Sequence, residues 1–294
     1  MTRKFKFFLF FFILLFILLI SEMIRVEKKM LALNQKTQRY DITINALNSK
    51  IAALIKRVEH LTTGLELLSS EPNNIKTKSN IYNIRTFQLP FLNHKEWGGK
   101  PVAYLEQTDN EIVIASGAGE FFSFEKKDIG SNNLDLKKIK TNIKDLIKDE
   151  KFYLPSVYSI KDLLILDNNI FVSYIKKISN NCYNTSIISS EFNLNYLIFT
   201  EFFSYKDCVN TNLLAHSGGR MVFFKNKKIL LTIGDWTWTH MLLAQDKNSI
   251  FGKIISIDLK SKDYEIIAMG SRNAQGLYYD EDRDIIIHTE HGPI

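Results

Sequence analysis

The sequence predicts an all-β fold for most of the chain, and three observations carry that reading. From Phe87 onward the apolar residues fall in short runs rich in Ile, Val, Leu, Phe and Tyr, bounded by Asp, Asn, Lys and Gly. The runs pair off across polar turns: Val102–Leu105 with Glu111–Ala115, Leu163–Leu166 with Ile170–Tyr174, Met221–Phe224 with Lys228–Ile233, and Leu277–Tyr279 with Asp284–Thr289. The turns centre on residues 110, 169, 226 and 282, at spacings of 59, 57 and 56 residues. A hairpin recurring at that interval, with little helical pattern between, predicts a β-propeller, in which each repeat is one antiparallel sheet that hides its faces against its neighbours. A β-sandwich with evenly spaced hairpins is the competing architecture.

The remaining elements follow in chain order. Residues Phe7–Ile20 are an unbroken apolar run preceded by Arg3, Lys4 and Lys6, with no small-residue cleavage site after it. Counted from Phe5 to Ile24 the stretch has 20 residues, about 30 Å as helix. Residues 1–24 are therefore expected to be a single-pass transmembrane signal anchor with its N-terminus inside. Ile44, Leu47, Ile51, Leu54, Val58, Leu61, Leu65 and Leu68 are spaced alternately three and four apart, and the register extends back through Tyr40, Thr37, Leu33, Met30, Val26 and Met23. This heptad seam predicts a coiled-coil stalk over 25–68 and a homo-oligomer through it. Ser69 to Thr86 lacks periodicity and reads as a polar linker; 87–294 is the propeller body. Within that body, the Lys/Asp/Asn-rich stretch Ser131–Lys151 reads as a charged insertion with a short helix near Asn142–Lys148. At the observed spacing the body holds three to four blades. A closed ring has about 4–8, so either a longer protein or a partner is expected to supply the rest.

Composition excludes several classes. The chain has 294 residues, 45% hydrophobic and 24% charged, with 13 Gly and 5 Pro, so collagen-like, disordered and Pro/Gly-linker proteins are out. The net charge of +6 divides into +8 on residues 1–86 and −2 on the body, so the body is not expected to track nucleic-acid phosphates. The two cysteines, Cys182 and Cys208, form no CxxC pair. That argues against structural zinc and leaves a disulfide and two buried thiols both open.

Polar clusters lie at the ends of the hairpins, where a propeller places its loops: Ala215–Arg220, Thr232–Asp235, Gly270–Leu277 and Thr289–Pro293. His216 is followed closely by two glycines that permit a tight turn, and Asp235 returns to the same sheet edge at the far end of the hairpin. The carboxylate can hold the imidazole in one tautomer, the arrangement a general base needs. Arg272 and Asn273 can stabilise developing negative charge or bind carboxylates. Each also has a plainer role: Asp235 can cap a turn, and a lone histidine is usually structural.

Taken in order, H-x-G-G-R (His216–Arg220), G-D (Gly234-Asp235), A-Q-D-x-N-S-x-x-G-K-I-x-x-I-D-L (Ala244–Leu259), R-N-x-Q-G-L (Arg272–Leu277) and E-H-G-P (Glu290–Pro293) resemble the glucose/sorbosone dehydrogenase family. The resemblance implies a six-bladed propeller that oxidises an aldose or related sugar with pyrroloquinoline quinone (PQQ) and calcium. It implies His216 as the base taking the hydroxyl proton, Asp235 as its orienting acid, and Arg272 and Asn273 beside the quinone and the reacting oxygen. It also implies His291 at a quinone contact, with the carbonyls of Gly292 and Pro293 as calcium ligands. The expected setting is the inner membrane, with the body facing the periplasm. Two departures stand out. Trp236-Thr237-Trp238-Thr239 follows Gly234-Asp235 where the family has another Gly, and these aromatics either line a sugar site or pack. The family continues past E-H-G-P with blades that hold the PQQ carboxylates. A non-catalytic propeller on a membrane stalk, serving as a binding or scaffold module, is the alternative function.

Overall fold

The fold is described from a computed structural model, over residues 3–61, 65–68, 72–87, 89, 102–153, 159–211, 214–236 and 241–291. The chain divides into two units, Met1–Leu61 and Thr62–Ile294.

The first unit is one helix, α1 (Arg3–Leu61). Its backbone covers the apolar run, but most of that run's side chains, like those after Ile51, lie outside the described residues. Among the described residues no helix is long and apolar enough to cross a membrane. The seam residues Val26, Met30, Leu33, Tyr40, Ile44, Leu47 and Ile51 are all exposed on α1.

The heptad register outlasts the helix. Leu65–Leu68 is a strand, β1, instead of the last coil turn. Residue 64 is Gly, a poor helix former, and the backbone of the next four residues pairs with a strand of the body. The expected linker also contains structure, a small hairpin of β2 (Asn73–Lys76) and β3 (Ile81–Ile84). Its strands are exposed throughout, which is why no buried-face pattern marks them in the sequence.

The second unit is built of successive antiparallel sheets, and each of the four expected hairpins is present. The first sheet runs β4 (Ala103–Gln107), β5 (Glu111–Ser116), β6 (Phe121–Glu125) and β7 (Asn133–Thr141), with β1 on its outer edge. The stretch read as a charged insertion therefore contains an outer strand: Leu134, Leu136 and Ile139 turn inward while Asp and Lys residues face water. Its short helix is present as α2 (Ile143–Leu146).

The second sheet is β8 (Ile160–Leu166), β9 (Asn169–Ser179), β10 (Cys182–Glu191) and β12 (Thr200–Phe203). Between its last two strands β11 (Tyr196–Leu197) reaches back to pair in parallel with β7. β13 (Val209–Asn210) pairs with the start of β10, beside the Cys182–Cys208 disulfide. The third sheet is β14 (Gly218–Phe224), β15 (Lys228–Ile233), β16 (Lys253–Asp258) and β17 (Tyr264–Met269). β18 (Ala274–Asp280) pairs with β19 (Ile285–Glu290) in the fourth.

The sheets stack face to face. Val113, Phe121 and Ile139 of the first meet Ile160, Val172 and Ile188 of the second. Phe171, Ile175 and Ile187 on the opposite face meet Met221, Ile229, Leu231 and Ile255 of the third. Leu230 and Ile254 then face Leu277 and Tyr279 of the fourth. Strands buried on both faces read as continuous apolar runs, as in Ile229-Leu230-Leu231. The first strands β4, β8, β14 and β18 are neighbours in turn, so the arrangement is propeller-like, with these four strands innermost.

Candidate active site

The innermost strands of the second to fourth sheets begin at the same end of the body, and there the sequence clusters converge. β14 opens two residues after His216, β15 closes into Gly234-Asp235, β18 opens after Arg272-Asn273, and β19 closes into His291. His216 has a positive φ of 54°, a conformation uncommon outside glycine. It is held there by Trp236 N–H donating to its carbonyl at 3.1 Å. Gly234 is required beside it: a Cβ at that position would lie 1.7 Å from the His216 oxygen.

His216 Nδ1 lies 3.3 Å from Asp235 Oδ1, with the carboxylate 5% and the imidazole 16% exposed. An ionised acid in that place selects the Nδ1–H tautomer and leaves the Nε2 lone pair as the basic atom. Asp235 is fixed from behind by its own N–H, which donates to the Arg272 carbonyl at 2.8 Å.

Glu290 locks the next segment. Its Oε2 accepts the N–H groups of Arg272 and Asn273 at 3.1 and 3.0 Å. Arg272 Nη1 donates to the His291 carbonyl at 2.8 Å, and His291 N–H donates to Asn273 O. Asn273 is buried, and its Oδ1 accepts the Gly218 N–H at 3.3 Å, tying this segment back to the His216 turn. His216, Asp235, Arg272, Asn273 and His291 are thus brought together in one laced assembly. Gly292 and Pro293, the expected calcium ligands, lie outside the described residues.

Trp236 is completely buried among Ile250, Phe251 and the strands of the third sheet, so it packs; Trp238 lies outside the described residues. Behind Gly234, Lys253 is buried with its ammonium donating to the carbonyls of Leu243, Ala244 and Phe251 at 2.8–2.9 Å. Burial lowers its pKa. It anchors the loop whose Gly252 N–H reaches Gly234 O.

Sequence reading gave no part to Glu290, Lys253, Asp162 or Lys161. The first two stand inside recognised motifs, the only signal that points to them. Asp162 and Lys161 have none, because their importance comes from a strand on another sheet.

These features define a β-sheet scaffold presenting a carboxylate-supported histidine and a nearby arginine at the mouth of its innermost strands. Residues 166–294 match the profile of the Glucose / Sorbosone dehydrogenase family, and this part of the chain is glucose/sorbosone dehydrogenase-like. That is a family of sugar oxidoreductases. Among curated proteins nothing matches.

Similar solved structures include a glucose dehydrogenase with 14% identity and a TM-score of 0.49, aligned over 65% of this chain and 62% of that one. The soluble aldose sugar dehydrogenase of Escherichia coli in its apo form has 16% identity and a TM-score of 0.46, over 66% and 57%. The PQQ-bound aldose sugar dehydrogenase of Streptomyces coelicolor has 15% identity and a TM-score of 0.47, over 66% and 57%. The chain spans about three-fifths of the length of these proteins.

The residues present fit part of the expected cofactor set. Arg272 is partly buried, and its guanidinium is a group well matched to carboxylates such as those of PQQ. Among the described residues no group of three His, Cys, Asp or Glu forms a metal site.

Proposed function

We propose that the chain is part of a membrane-anchored, PQQ-dependent aldose dehydrogenase whose body faces the periplasm. The observation that carries this reading is the His216–Asp235 contact, held in register with Arg272 and Asn273 by the bonds described above. PQQ, when bound, supplies a quinone that accepts hydride. The rest falls to the chain. His216 Nε2 takes the proton of the sugar hydroxyl, and Asp235 steadies the imidazolium that results. Arg272, with His291 on its bonded neighbour segment, would stand beside the quinone and favour negative charge near the reacting oxygen. Asn273 keeps the His216 turn beside them. Calcium belongs to this proposal only through the carbonyls of Gly292 and Pro293.

The membrane anchor rests on the apolar run Phe7–Ile20, and the homo-oligomer on the exposed seam of α1. The disulfide suits an oxidising compartment such as the periplasm.

The test is oxidation of an aldose with a dye acceptor, alongside PQQ titration by absorbance, on the full chain. His216→Ala is expected to lower turnover by about 10²–10⁴-fold while PQQ still binds. Arg272→Ala is expected to weaken PQQ binding as well. Near-normal turnover in His216→Ala would remove the base assignment. PQQ binding without turnover in the unmodified chain would favour the binding-module alternative.

A further inference from the structure

The turn carrying His216 leaves the sheet it enters. β14 and β15 are in register at Gly218↔Ile233 and again at Met221↔Leu231, so β14 holds one extra residue between them, a β-bulge. Bulges free ladder groups and re-aim side chains. Here side chains from neighbouring strands take up the freed groups. Thr232 Oγ1 accepts the N–H groups of Gly219 and Arg220 at 3.1 and 2.9 Å and donates to Ala274 O at 3.0 Å. Ser173 donates to Gly219 O, and Thr185 donates to Ser217 O at 2.7 Å. Asp162 Oδ2 accepts the Met221 N–H at 2.8 Å.

Asp162 is the one charged group in this cradle, and it does more than fill a bond. Its Oδ1 accepts Arg220 Nη1 at 2.8 Å. Arg220 Nε in turn donates to Gln275 O at 2.7 Å, and the guanidinium stands 5.4 Å from the Tyr104 ring centroid. One side chain on β14 therefore touches the innermost strands of all three other sheets. β8 and β18 are themselves bulged at the same level, between Ile160 and Asp162 and between Ala274 and Gly276. The neutral members each fix between one and three peptide groups. The Asp162–Arg220 pair fixes β14 against the sheets on both sides.

We propose that Asp162, acting through Arg220, is a positioning residue for His216. It clasps the bulge so that the turn four residues upstream holds the imidazole against Asp235 and abreast of Arg272. The proposal rests on the reading of His216 as the base, and its test separates the two. Amide hydrogen exchange and aldose oxidation are measured on the full chain for Asp162→Asn and Arg220→Gln. Exchange across residues 214–221 is expected to accelerate at least about tenfold, with β16 unchanged, because the loss is local. The kcat is expected to fall by about 10–100-fold with little change in KM, since misplacing a reacting group by about 1 Å costs that much.

Unchanged exchange at 214–221 would overturn the proposal. So would acceleration spread equally over β16, or a raised KM with kcat intact. If the unmodified chain oxidises no aldose, the dehydrogenase reading fails, while the exchange result still decides the clasp. Should Asp162→Asn not fold, Arg220→Gln carries the same decision from a more exposed position.

Discussion

Lys161 and Asp162 stand side by side on β8 with opposite electrostatic burdens. The Lys161 stem lies where a Gly219 side chain would be, since a Cβ on Gly219 would come 2.3 Å from that of Lys161. Among the described residues its ammonium has no ion-pair partner, and burial alone pushes its pKa down to about 8. Burial pushes Asp162 up to about 6, against the pull of Arg220. For Lys161 the unfolded chain binds the proton more tightly, so stability rises with pH between about 8 and 10.5 and the cost is full below 8. Lys161→Met is therefore expected to raise Tm at pH 7, by the equivalent of up to about 3 kcal/mol less what solvent screening removes, with the gain shrinking above pH 8. For Asp162 the folded chain binds the proton more tightly. The wild type should gain on Asp162→Asn as pH falls from about 6 to 3.8, by about 3 kcal/mol in denaturant titrations. Flat differences across those windows would refute both assignments. The sequence marked His216 and Asp235 because motif spacing is visible in one dimension. It could not mark Lys161 or Asp162, whose partners lie about 58 residues away on another sheet.

Among the elements, β14 and β15 depend on side chains standing in for a missing ladder. Thr232→Val keeps the shape of Thr232 but strands two N–H groups and one carbonyl in a buried place. The expected loss is about 2–4 kcal/mol, read as a fall in the urea midpoint at constant m-value. Gly234→Ala should be worse for the site than for the sheet. The new methyl would drive into the His216 carbonyl, so the turnover proposed for this site should vanish in a protein whose far-ultraviolet spectrum survives. A peptide of residues 25–61 is expected to sediment as a dimer or trimer, its exposed seam being the contact; a helical monomer at high micromolar concentration would show that the seam has another partner. Hairpins were legible because apolar runs and polar turns alternate. β7 was not, since five of its nine residues, Asn133-Leu134-Asp135-Leu136-Lys137-Lys138-Ile139-Lys140-Thr141, are Asp, Lys or Asn and mask the inward Leu, Leu and Ile. β1 was masked in the opposite way, by leucines that also satisfy a heptad.

For the whole molecule, the Cys182–Cys208 bond ties the start of β10 to the chain entering β13, across 26 residues. Replacing both cysteines with Ser is expected to cost about 3 kcal/mol, seen as a lower Tm that reducing agent reproduces in the wild type and does not deepen in the variant. The repeat was legible at this scale through its even spacing, whereas the parallel return of β11 to β7 was not, because two residues carry no pattern. The face-to-face stacking has a consequence in time. Phe171 and Ile175 of β9 belong to one core while Ile170 and Val172 belong to another, so no sheet is a finished folding unit. A chain emerging N-terminus first always has its newest sheet with one oily side bare until the next arrives, the kind of species that aggregates or recruits a chaperone. The hazard is a moving front: it passes from the first sheet to the fourth as synthesis proceeds, and a stall at any hairpin decides which apolar face is left waiting.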